Sequence, residues 1–154
     1  MSGTAAVLEA HIEIDAPPEQ VWTVVSDIAR MGEWSPECRK VIVFGAPREG
    51  THLVGFNRRR WVLWPTNSRI VRYEPGRAIA WKVFTNRATW SYELEPIEGG
   101  TRLIERRDMP PAGIVPFAGL FGKVFLGGVE SHDVELQEGM HATLDRIKSE
   151  VERS

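Results

Sequence analysis

Leu8, Ala10, Ile12 and Ile14 alternate with Glu9, His11 and Glu13, the two-residue period of a strand with one buried and one wet face. The pattern predicts a first strand over roughly 7–14. Asp15-Ala16-Pro17-Pro18-Glu19 then supplies a capping residue, prolines tolerated in a first helical turn and an acid at the positive helix end. A helix is expected next, with Val21, Val24, Val25 and Ile28 on its inner face. Met31 to Pro36 has room for one or two turns, because Gly32 and Pro36 both weaken propagation, and reads as a short second helix. Beyond it, 39–44, 51–59, 61–73, 78–84, 88–95 and 101–108 are rich in β-branched and aromatic residues and predict strands two to seven. Short connections such as Glu74-Pro75-Gly76-Arg77 and Glu98-Gly99-Gly100 imply hairpins and hence an antiparallel meander. Pro65 splits the fourth strand, so Trp61 to Trp64 is either a loop or an edge piece. In the last third the period changes again: Phe121, Phe125, Val129, His132, Leu136, Met140, Thr143, Ile147 and Val151 recur every three or four residues. The stripe stays in phase across Gly127-Gly128, predicting one long helix with a bend or weak point there.

Length and composition fit this picture. A chain of 154 residues, 42% hydrophobic and 26% charged, can bury a core without staples, and no repeat or linker divides it. One α+β domain over 1–154 is expected. The net charge of −2 argues against a surface built to neutralise phosphates, so nucleic acid is not an expected partner. A single cysteine, Cys38, forms no internal disulfide and reads as a small apolar filler, since no motif surrounds it. With no signal-peptide pattern in Met1 to Leu8, the expected location is cytoplasmic. The most apolar run, Gly113 to Gly128, carries Pro116 and Lys123 and falls short of the about 20 residues a spanning helix needs.

The residues also carry a resemblance. The run from Ile12 to Trp22, then Ser26-Asp27-Ile28 and Glu33-Trp34-Ser35-Pro36, resembles the opening of the polyketide cyclase/dehydrase-like branch of the START-like (SRPBCC) superfamily. So do Gly55-Phe56-Asn57-Arg58, Glu74-Pro75-Gly76-Arg77, Trp81, Gly100-Thr101-Arg102-Leu103 and Gly139 to Leu144. The resemblance spans nearly the whole chain and implies the helix-grip fold: a seven-stranded curved antiparallel sheet around a long C-terminal helix, with two short helices after strand one. It implies a deep cavity between sheet and helix, used across the superfamily for lipids, polyketides, steroids, quinones and plant hormones. These motifs turn hairpins and fill cores, so they point to the fold more than to an activity.

Strand alternation proposes which side chains face inward. Trp90, Tyr92 and Leu94 share one face of strand six, Ile79, Trp81 and Val83 of strand five, and Leu53, Gly55 and Asn57 of strand three. In strand seven Leu103 shares parity with Glu105 and Arg107, which would then form the polar end of a ligand site. Two other readings stand beside it: opposite parity, leaving both solvated, or a buried pair that neutralises itself. His132 is the one ionisable position on the helical stripe and faces either the cavity or its rim. His132 and His141 lie nine residues apart, on opposite helix faces at about 100° per residue, and no Cys/His/Asp spacing suggests a metal. No nucleotide loop or serine elbow is present, and no cofactor is expected. Arg58-Arg59-Arg60 followed by Trp61 reads as a turn with solvated arginines; the alternative is transient contact with a membrane, with Pro116, Phe117, Leu120 and Phe121 as an apolar lip.

Three functions follow. The first is a carrier or binding protein for a hydrophobic small molecule, lined by Trp34, Asn57, Trp81, Trp90, Tyr92, Leu103, Arg107, Phe121 and Phe125. The second is a metal-free cyclase or dehydratase in which Glu105 and His132 move protons while Arg107 or Asn57 stabilises an enolate oxygen. The third is an adaptor that docks a protein through an exposed apolar patch. Oligomeric state is not legible, since six tryptophans can serve one core or an interface.

Overall fold

The computed structural model describes residues 6–109 and 129–153, with the side chains of the last helix described from Val134 onward. β1 (Ala6–Ile14) leads into α1 (Pro18–Val25) and a 3-10 helix (Ile28–Glu33). Six strands follow: β2 (Cys38–Phe44), β3 (His52–Arg59), β4 (Val62–Glu74), β5 (Ala78–Val83), β6 (Thr89–Ile97) and β7 (Gly100–Met109). The described chain ends in α2 (Val129–Arg153). The seven strands form one antiparallel sheet in the order β1-β7-β6-β5-β4-β3-β2, so strands adjacent in sequence, β1 and β2, occupy opposite edges.

The expected strands and hairpins are all present, with ends moved by one or two residues. The second short helix is not where the pattern put it. It begins directly after α1, at Ile28 rather than Met31, and adopts 3-10 geometry. Pro36 disfavours helical geometry at Ser35, which ends the turn early. Gly32 has a packing reason to lie within this helix: a Cβ there would sit 2.2 Å from the Arg39 carbonyl oxygen. Pro65 does not interrupt β4, where it lies opposite Phe56 of β3. It is tolerated because β5 pairs with β4 only from Ser68 onward, leaving the start of β4 with β3 as its one described neighbour. Bulges at Cys38/Lys40 in β2 and Ile70/Arg72 in β4 interrupt the register at two further points, and such irregularities bend a strand.

α2 lies against β1, β7 and α1. Met140, Leu144, Ile147 and Val151, spaced four, three and four, are fully buried in the core with Val21, Val25, Ile14 and Leu103. Polar contacts fix its register on the rest of the chain. Gln137 Nε2 donates to the Glu9 carbonyl (2.8 Å), Lys148 Nζ to the Glu13 carbonyl (2.7 Å) and Gln20 Nε2 to the Val151 carbonyl (3.0 Å). Arg30 bridges Glu33 and Glu150, both at 2.9 Å, so the 3-10 helix is also held to α2. The expected continuation of this helix upstream through Gly127-Gly128 to Phe121 lies outside the described residues.

Candidate functional site

The inner face of the sheet is built in rows across the register. Leu8, Arg107, Trp90, Trp81 and Ile70 form one, Ala10, Glu105, Tyr92 and Ile79 the next, and Ile12, Leu103 and Leu94 a third. Alternation along β7 therefore places Thr101, Leu103, Glu105 and Arg107 in the interior, and all four are buried. Glu105 is 6% exposed and Arg107 5%. The solvated reading of this pair is thereby set aside. So is the self-neutralising reading, because Glu105 enters no ion pair and its Oε1 accepts no hydrogen bond among the described residues.

Glu105 is flanked across the register by the methyl of Ala10 and the ring of Tyr92, and among the described residues no donor reaches its Oε1 to replace the hydration of an ionised carboxylate. Burial pushes its carboxyl up to about 8, so it is largely protonated at neutral pH. The Tyr92 phenol is raised well above its usual range, first by burial and then by the negative charges that Glu105 and Cys38 can carry. Its ring meets Trp81 at 5.8 Å between centroids, in a tilted arrangement. Glu105, Arg107, Tyr92, Trp81, Trp90 and Leu103 thus occupy neighbouring positions on one face. Trp90 is half-buried, the rest are buried.

A second polar group lies farther across the sheet. Asn57 Nδ2 donates to the Trp64 carbonyl and to Thr66 Oγ1, both at 3.3 Å, while Oδ1 takes no hydrogen bond among the described residues. Gly55 makes room for this arrangement, since a Cβ there would lie 2.9 Å from Thr66 Oγ1. Asn57, Trp64 and Thr66 are half-buried although they share the parity of the buried Leu53, Ser68 and Ile70. β4 separates Asn57 from β5, so Asn57 does not neighbour Glu105 in the register. The sequence marks Trp64 only as an aromatic following Arg58-Arg59-Arg60 and Trp61, and neither Trp64 nor Thr66 as inward-facing. Their alternation with Ser68 and Ile70 was the available signal, obscured by treating Pro65 as a break.

Other candidates separate from this face. Trp34 is buried, but beneath the Arg30 guanidinium (5.0 Å to the ring), where its carbonyl accepts from Arg146 (3.1 Å). It lines a shallow depression between the 3-10 helix and α2 with Glu33, Arg146 and Glu150. Phe121 and Phe125 lie outside the described residues, and the described side chains do not include His132. The run Arg58-Arg59-Arg60 is not uniformly solvated: Arg59 is buried and ion-paired with Glu135 of α2, whereas Arg58 and Arg60 are exposed. The buried Cys38 thiol is pushed up to about 11 by burial and donates to the Lys40 carbonyl, which makes it a poor nucleophile. Among the described residues no three His, Cys, Asp or Glu side chains converge as a metal site would require. Also among them, no helix is long and apolar enough to cross a membrane.

Residues 5–152 match the model of a family described as polyketide cyclase / dehydrase and lipid transport. A search of curated proteins returned no match. Among solved structures, a polyketide-cyclase-like protein of Corynebacterium glutamicum is 34% identical, with 97% of this chain and 93% of that one covered and a TM-score of 0.67. The Zhui aromatase/cyclase of Streptomyces sp. R1128 is 17% identical over 97% of this chain and 94% of its own, with a TM-score of 0.75. The di-domain aromatase/cyclase StfQ of the steffimycin pathway is 14% identical, covering 98% of this chain and 52% of that one, with a TM-score of 0.77. The last two likenesses establish the shared helix-grip architecture, an antiparallel sheet with a long C-terminal helix.

Proposed function

The chain belongs to the polyketide cyclase / dehydrase and lipid transport family, and from that premise we propose that it binds a small hydrophobic molecule bearing a hydrogen-bond acceptor. The molecule lies on the inner face of the sheet, against Trp81, Trp90 and Leu103, with its acceptor directed at Glu105 and Tyr92. The observation that carries this reading is the buried Glu105 carboxyl, whose Oε1 has no hydrogen-bond partner among the described residues. Leaving a polar group unmatched in an interior costs roughly 1–3 kcal/mol, and a ligand that accepts from the neutral carboxyl offsets that cost. Arg107, one inward position along β7, would hold a carboxylate or enolate on the same molecule; Asn57 Oδ1 offers an acceptor farther across the sheet for a ligand long enough to reach it. The half-buried Asn57, Trp64 and Thr66 are consistent with entry from that side.

The test is native mass spectrometry of the purified protein combined with titration by planar, carbonyl-bearing polyketide-like aromatics. Bound ligand is expected, with affinity weakened in Glu105→Gln and Tyr92→Phe. A protein that takes up none of these compounds, or binds them equally well in both variants, would not be a carrier of this kind.

The raised carboxyl of Glu105 favours a second reading, a dehydratase or cyclase. A neutral Glu105 would protonate a departing hydroxyl, releasing water as the C–O bond breaks. The resulting carboxylate would take the proton from the adjacent carbon as the C=C bond forms, which restores the acid. Turnover of a β-hydroxy carbonyl substrate that is abolished in Glu105→Gln, with binding retained, separates this reading from simple carriage.

A further inference from the structure

The outer face of β2, β3 and the first half of β4 is unusual in both polarity and charge. Six of the nine large apolar side chains exposed among the described residues lie on it or border it: Ile42, Phe44, Phe56 and Leu63 on the strands, Trp61 in the β3–β4 turn and Phe84 just beyond β5. They cluster, since Phe44, His52 and Phe84 stack in succession at 5.4 and 6.4 Å, and Phe56 pairs with Pro65 beside Leu63. The most exposed are Trp61, at 82%, and Leu63, at 71%, in and beside the turn of the β3–β4 hairpin. That hairpin projects: the first six residues of β4, Val62 to Asn67, precede its pairing with β5, about 20 Å at strand spacing. Arg60 holds the turn with φ of 59°, and Arg58 Nε donates to its carbonyl (2.7 Å), so the tip is ordered by its own contacts.

Charge on this face has one sign. Arg39, Lys40, Arg58 and Arg69 sit among the apolar side chains, and no Asp or Glu occupies an outward position of β2, of β3 or of β4 as far as Arg69. In a chain of net charge −2 this is a segregated basic field. An aromatic and an aliphatic side chain at a projecting tip, with cations behind them, suit a surface that is apolar a few ångströms down and anionic at its boundary. Bases of a nucleic acid would stack on Trp61 but would gain nothing from Leu63 or Ile42.

We propose that this face docks on an anionic lipid surface, with Trp61 and Leu63 entering the boundary between headgroups and acyl chains and Lys40 and Arg58 pairing with lipid phosphates. The inference goes beyond the ligand reading and stands without it, because vesicle binding needs no occupied pocket. Taken with that reading, it identifies the bilayer as the source from which the ligand is drawn, since Asn57 and Trp64 lie on the inner side of the same hairpin.

Co-sedimentation with vesicles of phosphatidylcholine alone, and of phosphatidylcholine with a third phosphatidylserine, tests it. Preferential binding to the anionic vesicles is expected, declining with added salt. Trp61→Ser/Leu63→Ser and Lys40→Glu/Arg58→Glu should each lower the partition coefficient roughly tenfold or more while retaining the parent unfolding midpoint. Absence of a preference for anionic vesicles, salt-independent binding or undiminished binding by the charge-reversed variant would overturn the proposal. It would also be overturned if the parent protein, but not Trp61→Ser/Leu63→Ser, forms dimers without binding vesicles, or binds a single-stranded oligonucleotide in their place.

Discussion

Replacing Glu105 by Gln should change how stability depends on pH more than it changes stability at any one pH. In the unfolded chain this carboxyl titrates near 4.5; in the folded protein burial raises it to about 8. Between these values the unfolded state releases a proton that the folded state retains, so the group's contribution to stability falls as pH rises through the window. It is constant below the lower value and constant again above the higher one. Each pH unit is worth about 1.4 kcal/mol, so by about pH 7 the parent protein has lost on the order of 3 kcal/mol relative to about pH 4 through this one group. The Glu105→Gln variant lacks the titration. Its amide adds a fixed offset of its own, but that offset has no slope. Urea unfolding of both proteins without ligand, at several values from about pH 5 to about pH 9, gives the difference directly. The parent should lose ground against Glu105→Gln at up to about 1.4 kcal/mol per unit, levelling off near pH 8. A flat difference would mean that Glu105 is ionised throughout, with Arg107 as its counter-charge, and would refute both the unmatched-acid reasoning and the ligand polarity drawn from it.

Other outcomes follow from individual contacts. Gly55→Ala should displace the Thr66 hydroxyl, break its bond with Asn57 and lower stability by about 1 kcal/mol in thermal unfolding, while adding little to the loss in a Thr66→Ala background, where that bond is already gone. Glu135→Ala removes the carboxylate that faces buried Arg59; because Glu135 is partly exposed, a loss of about 1–2 kcal/mol is expected, with faster amide exchange near the start of α2. Leu144→Ala opens a void where α2 meets the core and should cost about 2–5 kcal/mol, read from the urea midpoint at unchanged slope.

What the sequence disclosed, and what it withheld, follows from the range of the interactions involved. β7 was legible to the level of single side chains because it is regular from Gly100 to Met109, so the parity of Leu103 carries to Glu105 and Arg107 without interruption. In β4 the same inference faltered at Pro65 and would have failed again at the Ile70/Arg72 bulge, and Trp64 and Thr66 were lost with it. The 3-10 helix was misplaced because its position depends on Gly32 meeting the Arg39 carbonyl, a tertiary approach without periodicity. Arg58, Arg59 and Arg60 look alike in a row. The middle one alone is buried, held there by the carboxylate of Glu135, 76 residues away, which the exposed Arg60 approaches only at 3.9 Å. The aromatic and acidic character of the inner face could therefore be read directly, whereas which polar groups lack partners could not, since that depends on all their neighbours at once.

The edge position of β1 has a consequence for how this protein is made. Its one described partner strand is β7, paired from Ile14 with Thr101 to Ala6 with Met109, so the strand synthesised before the other six is the last able to join the sheet. While β2 to β7 zip up as consecutive hairpins, β1 remains unpaired and the free edge of β7 is available to any other extended chain. A topology closed by its most distant contact folds slowly for its size. During synthesis or refolding at high concentration, the characteristic error would be β1 of one molecule completing the sheet of another.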